Sequence, residues 1–227
     1  MIGIIAAEEI EMQVIKDLTK NIEIIEIFNL EFIKGKINDK DIVLVKSGEG
    51  KVNAARTTQI MIDNFEIDFV INVGSAGAVN PELNVQDIVI ADRLIQYDFD
   101  ISPLGYEKAE ICGIGKYLEC DKGLVEKLKN TIEQLEKDNK IVIGLIGTAD
   151  SFCSGSEMAK SIRDEFNVEC IEMEGAAIAQ VCILDRVPFV VIRGISDTAN
   201  GNNHIDFRTY LDVASKQVAR IIDKFLE

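Results

Sequence analysis

Ten polar residues follow apolar runs in this sequence, and their types suit carboxylate chemistry: Glu8, Glu9, Glu11, Ser75, Asp150, Glu172, Glu174, Arg193, Ser196 and Asp197. The unbroken apolar run Phe189-Val190-Val191-Ile192 leads into Arg193-Gly194-Ile195-Ser196-Asp197, and residues 168–171 lead into Glu172-Met173-Glu174. Charged and hydroxyl groups at the carboxyl ends of buried strands sit where open α/β sheets form their ligand crevices. Carboxylates are rarely buried without partners, so two glutamates bracketing Met173 at a strand-to-helix junction point to a lined pocket. The alternatives are plain ones: Asp197 capping a turn, Arg193 paired to a surface carboxylate, and the two glutamates on a solvated loop. With His204 as the sole histidine, most histidine-based catalysis and most zinc sites drop out. Chemistry here rests on carboxylates, hydroxyls and backbone.

The elements that must hold these residues follow from the apolar pattern. Buried strands are predicted over 2–7, 69–73, 87–91, 141–146, 168–171 and 189–192, each a short apolar run. A hairpin is predicted from 32–37 and 42–46 across Asn38-Asp39-Lys40. Glu9 and Glu11 open a helix toward Leu18, which suits the helix dipole. The helix after Lys51 carries Val52, Ala55, Thr58, Ile62 and Phe65 on one face; helices also fit 122–135, 156–166, the stretch from Gly175, and 207–225. Gly74-Ser75-Ala76-Gly77 follows the 69–73 strand, either as a tight turn or as a place where a ligand approaches the backbone. This alternation predicts an α/β fold: one domain over 1–227, with a central mixed, mostly parallel sheet flanked by helices on both sides.

At 227 residues the chain fits one domain with a full core. Its net charge of −15 repels phosphodiester backbones and anionic lipid, so neither nucleic acid nor a membrane is expected as partner. Five cysteines with no CxxC pair, and a start that turns acidic without a basic leader, predict a reduced, cytoplasmic protein. Ser47-Gly48-Glu49-Gly50-Lys51 lacks the glycine spacing and the hydroxyl residue of a phosphate loop. Glu8, Glu9 and Glu11 have oxygen ligands for a divalent metal, but a helix start explains their acidity. No metal and no cofactor are expected.

Five blocks, in order, carry a resemblance that runs nearly end to end: Ile2-Gly3-Ile4-Ile5 through Glu11, Lys46-Ser47-Gly48 with Gly50-Lys51-Val52, Asn72-Val73-Gly74-Ser75-Ala76-Gly77, Glu172-Met173-Glu174, and Arg193-Gly194-Ile195-Ser196-Asp197. The chain resembles the 5′-methylthioadenosine/S-adenosylhomocysteine nucleosidases of the purine nucleoside phosphorylase superfamily. The resemblance implies hydrolysis of the N-glycosidic bond of 5′-substituted adenine nucleosides. It assigns Asp197 as general acid at purine N7, with Ser196 holding it, and Glu11 as the group that orients and deprotonates water. It places Ser75, Arg193 and Glu174 around that water, and Glu174 also on the ribose 2′ and 3′ hydroxyls. Met173 falls under the ribose, Phe152 stacks on adenine, and the Cys153 backbone reads the adenine edge; Gly77 and Glu172 belong to the same binding blocks. Phe207 and, from a second subunit, Ile101, Leu104 and Tyr106 match positions around the 5′ substituent, which implies a homodimer. An aspartate with an ordinary pKa of ~3.9 must rise by ~3 units, or ~4 kcal/mol, to stay mostly protonated near neutrality; burial acts in that direction.

Two residues depart from the family pattern. Glu8 and Glu49 stand where apolar side chains usually surround the 5′-alkylthio group, and a carboxylate beside a thioether costs free energy unless it is solvated or meets a donor. The expectation is a more polar 5′ pocket, favouring an amino-bearing tail or a 5′-hydroxyl over methylthio, unless both side chains point to solvent. The rival chemistry is phosphorolysis on the same fold. Phosphate needs arginines and a glycine-rich amide cradle, whereas the first strand here ends in glutamates and Arg193 is the only arginine in the five blocks.

Overall fold

The computed structural model describes residues 1–135, 139–198 and 203–227, without the side chains of 203–208. In chain order the elements are β1 (Ile2–Ala6), α1 (Glu9–Lys16), β2 (Lys20–Ile27), β3 (Leu30–Ile37), β4 (Lys40–Lys46), α2 (Lys51–Asn64), β5 (Phe69–Ala78) and β6 (Ile88–Gln96). A single 3-10 turn at Ser102–Leu104 precedes β7 (Leu118–Glu119), α3 (Lys122–Leu135), β8 (Ile141–Thr148), α4 (Ser156–Phe166), β9 (Cys170–Glu172), α5 (Gly175–Asp185), β10 (Phe189–Thr198) and α6 (Asn203–Phe225).

All these strands join one mixed sheet. β1 lies parallel between β4 and β5, and β10 runs parallel to β5 on that strand's other side. Every residue of β1 and nearly every residue of β10 is buried, as expected for parallel strands covered on both faces. Beyond β5 the sheet closes on itself: β5, β10, β6, β8 and β9 each pair with the next, and β9 returns antiparallel to β5. On the other side β4, β3 and β2 extend antiparallel as an open wing. Helices flank the sheet; α6 packs on β10 and against α1 and α3, while α2 and α5 pair with each other. Among the described residues no helix is long and apolar enough to cross a membrane.

Three expectations change here. First, β5 does not turn at Gly74: it continues through Ala78, with Gly74 opposite Arg193, Ser75 opposite Gly194 and Gly77 opposite Asp197. The close backbone approach thus happens inside a strand, where β10 and β5 keep the carbonyl and amide groups paired. Second, α2 buries Ala54, Thr57, Thr58 and Met61, not a face headed by Val52, which is 78% exposed. Small inward residues let α2 lie against α5. Third, β2 was not expected, because Lys20, Glu23 and Glu26 interrupt its apolar pattern. It is an edge strand held by β3 and mostly exposed, so the pairing partner rather than burial makes it a strand.

Candidate active site

The site is built where β5 and β10 run side by side. Their register shifts between Ile195 and Asp197, a bulge that leaves Ser196 without a partner on β5. Such bulges re-aim side chains next to sites, and here two consecutive polar residues, Ser196 and Asp197, are both buried. Ser196 Oγ donates to Asp197 Oδ1 at 2.9 Å. The other carboxyl oxygen, Oδ2, lies 2.9 Å from the point where a Cβ on Gly77 would stand. A glycine is therefore needed opposite the aspartate.

Glu11 sits in the first turn of α1 and is 4% exposed. Its Oε2 accepts from the backbone N–H groups of Ala7 (3.2 Å) and Glu8 (3.0 Å). Its Oε1 accepts from Ser75 N–H (2.9 Å) and Ser75 Oγ (3.0 Å). Four donors from two elements fix one rotamer, and the helix start explains why an acidic residue suits this place. A Cβ on Gly74 would come within 3.1 Å of Glu11 Oε1 and 3.3 Å of Arg193 Nη1, so the bare backbone of Gly74 lets the Glu11 carboxyl and the guanidinium approach one point.

Arg193 is fully buried, and its partner is not a surface carboxylate. Nη2 donates to Glu172 Oε2 and to Asn72 Oδ1, both at 2.5 Å. Glu172 also accepts from the backbone N–H groups of Glu174 (3.0 Å) and Gly175 (2.6 Å) and from the Thr148 hydroxyl. It thereby satisfies the start of α5 while neutralising the arginine. Burial works to lower the Arg193 pKa, but the negative charges of Glu172, Glu174 and Glu11 outweigh it and leave the guanidinium above its ordinary value. Glu174 has the reverse problem. Burial, and next the charge of Glu172, push its carboxyl up to about 8, against the opposing pull of the Gly50 N–H and of Arg193. Gly50 N–H donates to Glu174 Oε1 at 2.8 Å, which ties the loop before α2 to the start of α5.

These groups share one cavity of about 180 Å³. Of the residues singled out in the sequence, it is lined by Glu8, Glu11, Glu49, Ser75, Gly77, Phe152, Cys153, Glu172, Met173, Glu174, Arg193, Ser196 and Asp197. Phe152 is 45% exposed at the wall; Cys153 is buried, its thiol pKa raised by that burial. Ile101, Leu104 and Tyr106 do not line this cavity; they lie in or beside the Ser102–Leu104 turn, and Leu104 is 75% exposed. Phe207 falls in α6 with its side chain outside the described residues. Glu9 and Asp150 stand apart from the lining: Glu9 pairs with Lys46, and Asp150 accepts from the Lys51 N–H. Reading the sequence alone missed Ala7, Val73, Ser151 and Ile171 in the wall, whereas Ala76 falls in the run Gly74-Ser75-Ala76-Gly77 expected to meet a ligand. It also missed Thr148 and Asn72 behind the wall, whose polarity inside apolar strands was the available signal.

The fold and this carboxylate-lined cavity define a protein of the phosphorylase superfamily, whose family model matches residues 1–227. A 5′-methylthioadenosine/S-adenosylhomocysteine nucleosidase of Geobacillus sp. (strain WCH70) is 40% identical over 222 residues, covering 97% of this chain and 95% of the relative. The nucleosidase of the same name from Staphylococcus aureus is 38% identical over 98% of this chain and 97% of its own length. The solved structure of the S. pneumoniae nucleosidase with the transition-state inhibitor MT-ImmA superposes with a TM-score of 0.94 at 37% identity, over 99% of this chain and 97% of that one. The chain belongs to the 5′-methylthioadenosine/S-adenosylhomocysteine nucleosidase family.

Proposed function

We propose that residues 1–227 form one catalytic domain that hydrolyses the N-glycosidic bond of 5′-substituted adenine nucleosides, S-adenosylhomocysteine and 5′-methylthioadenosine among them, and releases adenine. One observation carries this over phosphorolysis. Among the described residues lining the cavity the only cation, Arg193, is already committed to Glu172 and Asn72, while Glu11 and Asp197 are both buried at that cavity. A phosphate dianion would meet carboxylates there. A water molecule meets a base.

In this reading Asp197, held by Ser196, gives its proton to purine N7 as the C1′–N9 bond breaks. Water adds to C1′ and passes a proton to Glu11, which Ser75 holds in place, leaving adenine and the free 5-substituted ribose. Ser75 and Arg193 flank the water. Glu174 accepts from the ribose 2′ and 3′ hydroxyls, an interaction that strengthens as positive charge grows on the sugar. Met173 lies under the ribose, Phe152 stacks on adenine, and the Cys153 backbone meets the adenine edge. Ile101, Leu104 and Tyr106 of a second copy enclose the 5′ group. The exposure of Leu104, and the place of all three outside the chain's own cavity, support a homodimer in which each copy completes the other's site. Five free cysteines, four of them buried, suit a reduced cytoplasmic setting.

The test is product analysis by chromatography on 5′-methylthioadenosine and S-adenosylhomocysteine, with and without phosphate. Adenine and free sugar without phosphate is the expected result. Adenine released only with phosphate, alongside a ribose 1-phosphate, would overturn hydrolysis and the role given to Glu11.

A further inference from the structure

Glu8 and Glu49 meet at the cavity rather than turning away from it. Both line its wall, and Glu49 lies close enough to Glu8 for its charge to act on the Glu8 carboxyl. Glu8 is half-buried and Glu49 exposed, so the pair forms the mouth side of the wall. Burial, then the charges of Glu49 and Glu11, raise the Glu8 pKa, with Lys46 opposing. The Lys46 ammonium near the pair is itself bonded to Glu9.

The place of the pair in the cavity follows from its neighbours. Glu8 precedes α1, and its own N–H is bonded to Glu11. Glu49 precedes Gly50, whose N–H is bonded to Glu174. The pair therefore adjoins the water-orienting and ribose-binding carboxylates. Asp197 stands with Cys153, whose thiol feels its charge, at the adenine end. With adenine at Asp197 and the ribose hydroxyls at Glu174, the remaining wall faces the 5′ substituent.

Resting on the nucleosidase reading, we infer that the Glu8–Glu49 pair makes this chain selective for nucleosides whose 5′ chain bears an ammonium group, over methylthio and over anionic chains. An ammonium offers two neighbouring carboxyls a charge-assisted contact. A methylthio group leaves the pair beside an unpolarised sulfur, and a carboxylate adds a third negative charge.

The experiment compares kcat/KM for adenine release from 5′-(2-aminoethylthio)-, 5′-methylthio- and 5′-(2-carboxyethylthio)-5′-deoxyadenosine, in phosphate-free buffer. In the unaltered chain the amino probe is expected about tenfold above methylthio, and the carboxy probe about tenfold below it, as for hydrogen bonds to charged groups. In the double variant Glu8→Gln/Glu49→Gln both ratios are expected to fall to within about threefold of unity. Glu49→Gln alone, at an exposed position, is expected to give at least half of that effect on a logarithmic scale and serves if the double variant fails to fold. Equal efficiency on all three probes, or ratios that survive in the variants, would overturn the inference and leave the nucleosidase reading intact. No adenine from any probe would overturn both.

Discussion

The carboxyl of Asp197 rests against the bare Cα of Gly77, with Oδ2 2.9 Å from where a Cβ would stand. The two residues face each other across adjacent parallel strands, and Ser196 holds the carboxyl's other oxygen. The atoms nearest to a methyl group at position 77 all belong to the Asp197 carboxyl. Gly77→Ala is therefore expected to displace the carboxyl and lower kcat about 100-fold, as a misplacement near 1 Å does, with circular dichroism unchanged. Activity within a few-fold of the unaltered chain would mean that the position of Asp197 is not critical.

Removing the proposed proton donor itself has a larger expected effect. Asp197→Asn is expected to cost roughly 1,000-fold in kcat, in the range of general acid catalysis. Ser196→Ala, which removes one hydrogen bond to the carboxyl, is expected to cost about tenfold. Single-turnover adenine release separates these from effects on product release. Equal losses in the two variants would make Ser196 more than a positioning residue.

Glu174 links activity and stability through one proton. Its carboxyl is pushed up to about 8 by burial first and by Glu172 next, from an ordinary 4.5. Between those values the folded chain holds a proton that the unfolded chain has lost, so stability falls as pH rises from about 4.5 and levels off above about 8. Urea midpoints at pH 5, 6.5 and 8.5 are expected to decline in the unaltered chain and to decline less in Glu174→Gln. Parallel declines would assign the dependence to other groups. The charged form is the better acceptor for ribose hydroxyls, so kcat/KM is expected to rise with pH through the same region.

The Arg193–Glu172 pair is buried on both sides, at 2% and 3% side-chain exposure. Glu172→Gln keeps the shape but leaves the guanidinium without a counter-charge at that contact. Its expected cost is roughly 3 kcal/mol of stability, the lower end for breaking a buried pair, measured by denaturant unfolding. A loss below about 1 kcal/mol would show that Glu174 and Glu11 suffice to hold the arginine.

The sequence by itself singled out most of the polar residues that gather at the cavity. Glu11, Glu174 and Asp197 were legible as candidates because charged groups stand close after short apolar runs, and all three line the cavity. The strand and helix order was legible for the same local reason, with α3 and α4 matched to their bounds. Tertiary structure alone decided who meets whom. Arg193 and Glu172 are 21 residues apart, and Gly50 and Glu174 are 124 apart. No local pattern encodes such pairings, because they arise from strand register and from the closure of the sheet through β9 and β10. The same holds for β2, which is a strand only because β3 lies beside it, and for the continuation of β5 through Gly77. Whether Glu8 and Glu49 faced the pocket or solvent was also open in the sequence. It was decided by the packing of two loops, after β1 and after β4, which are neighbours because those strands pair.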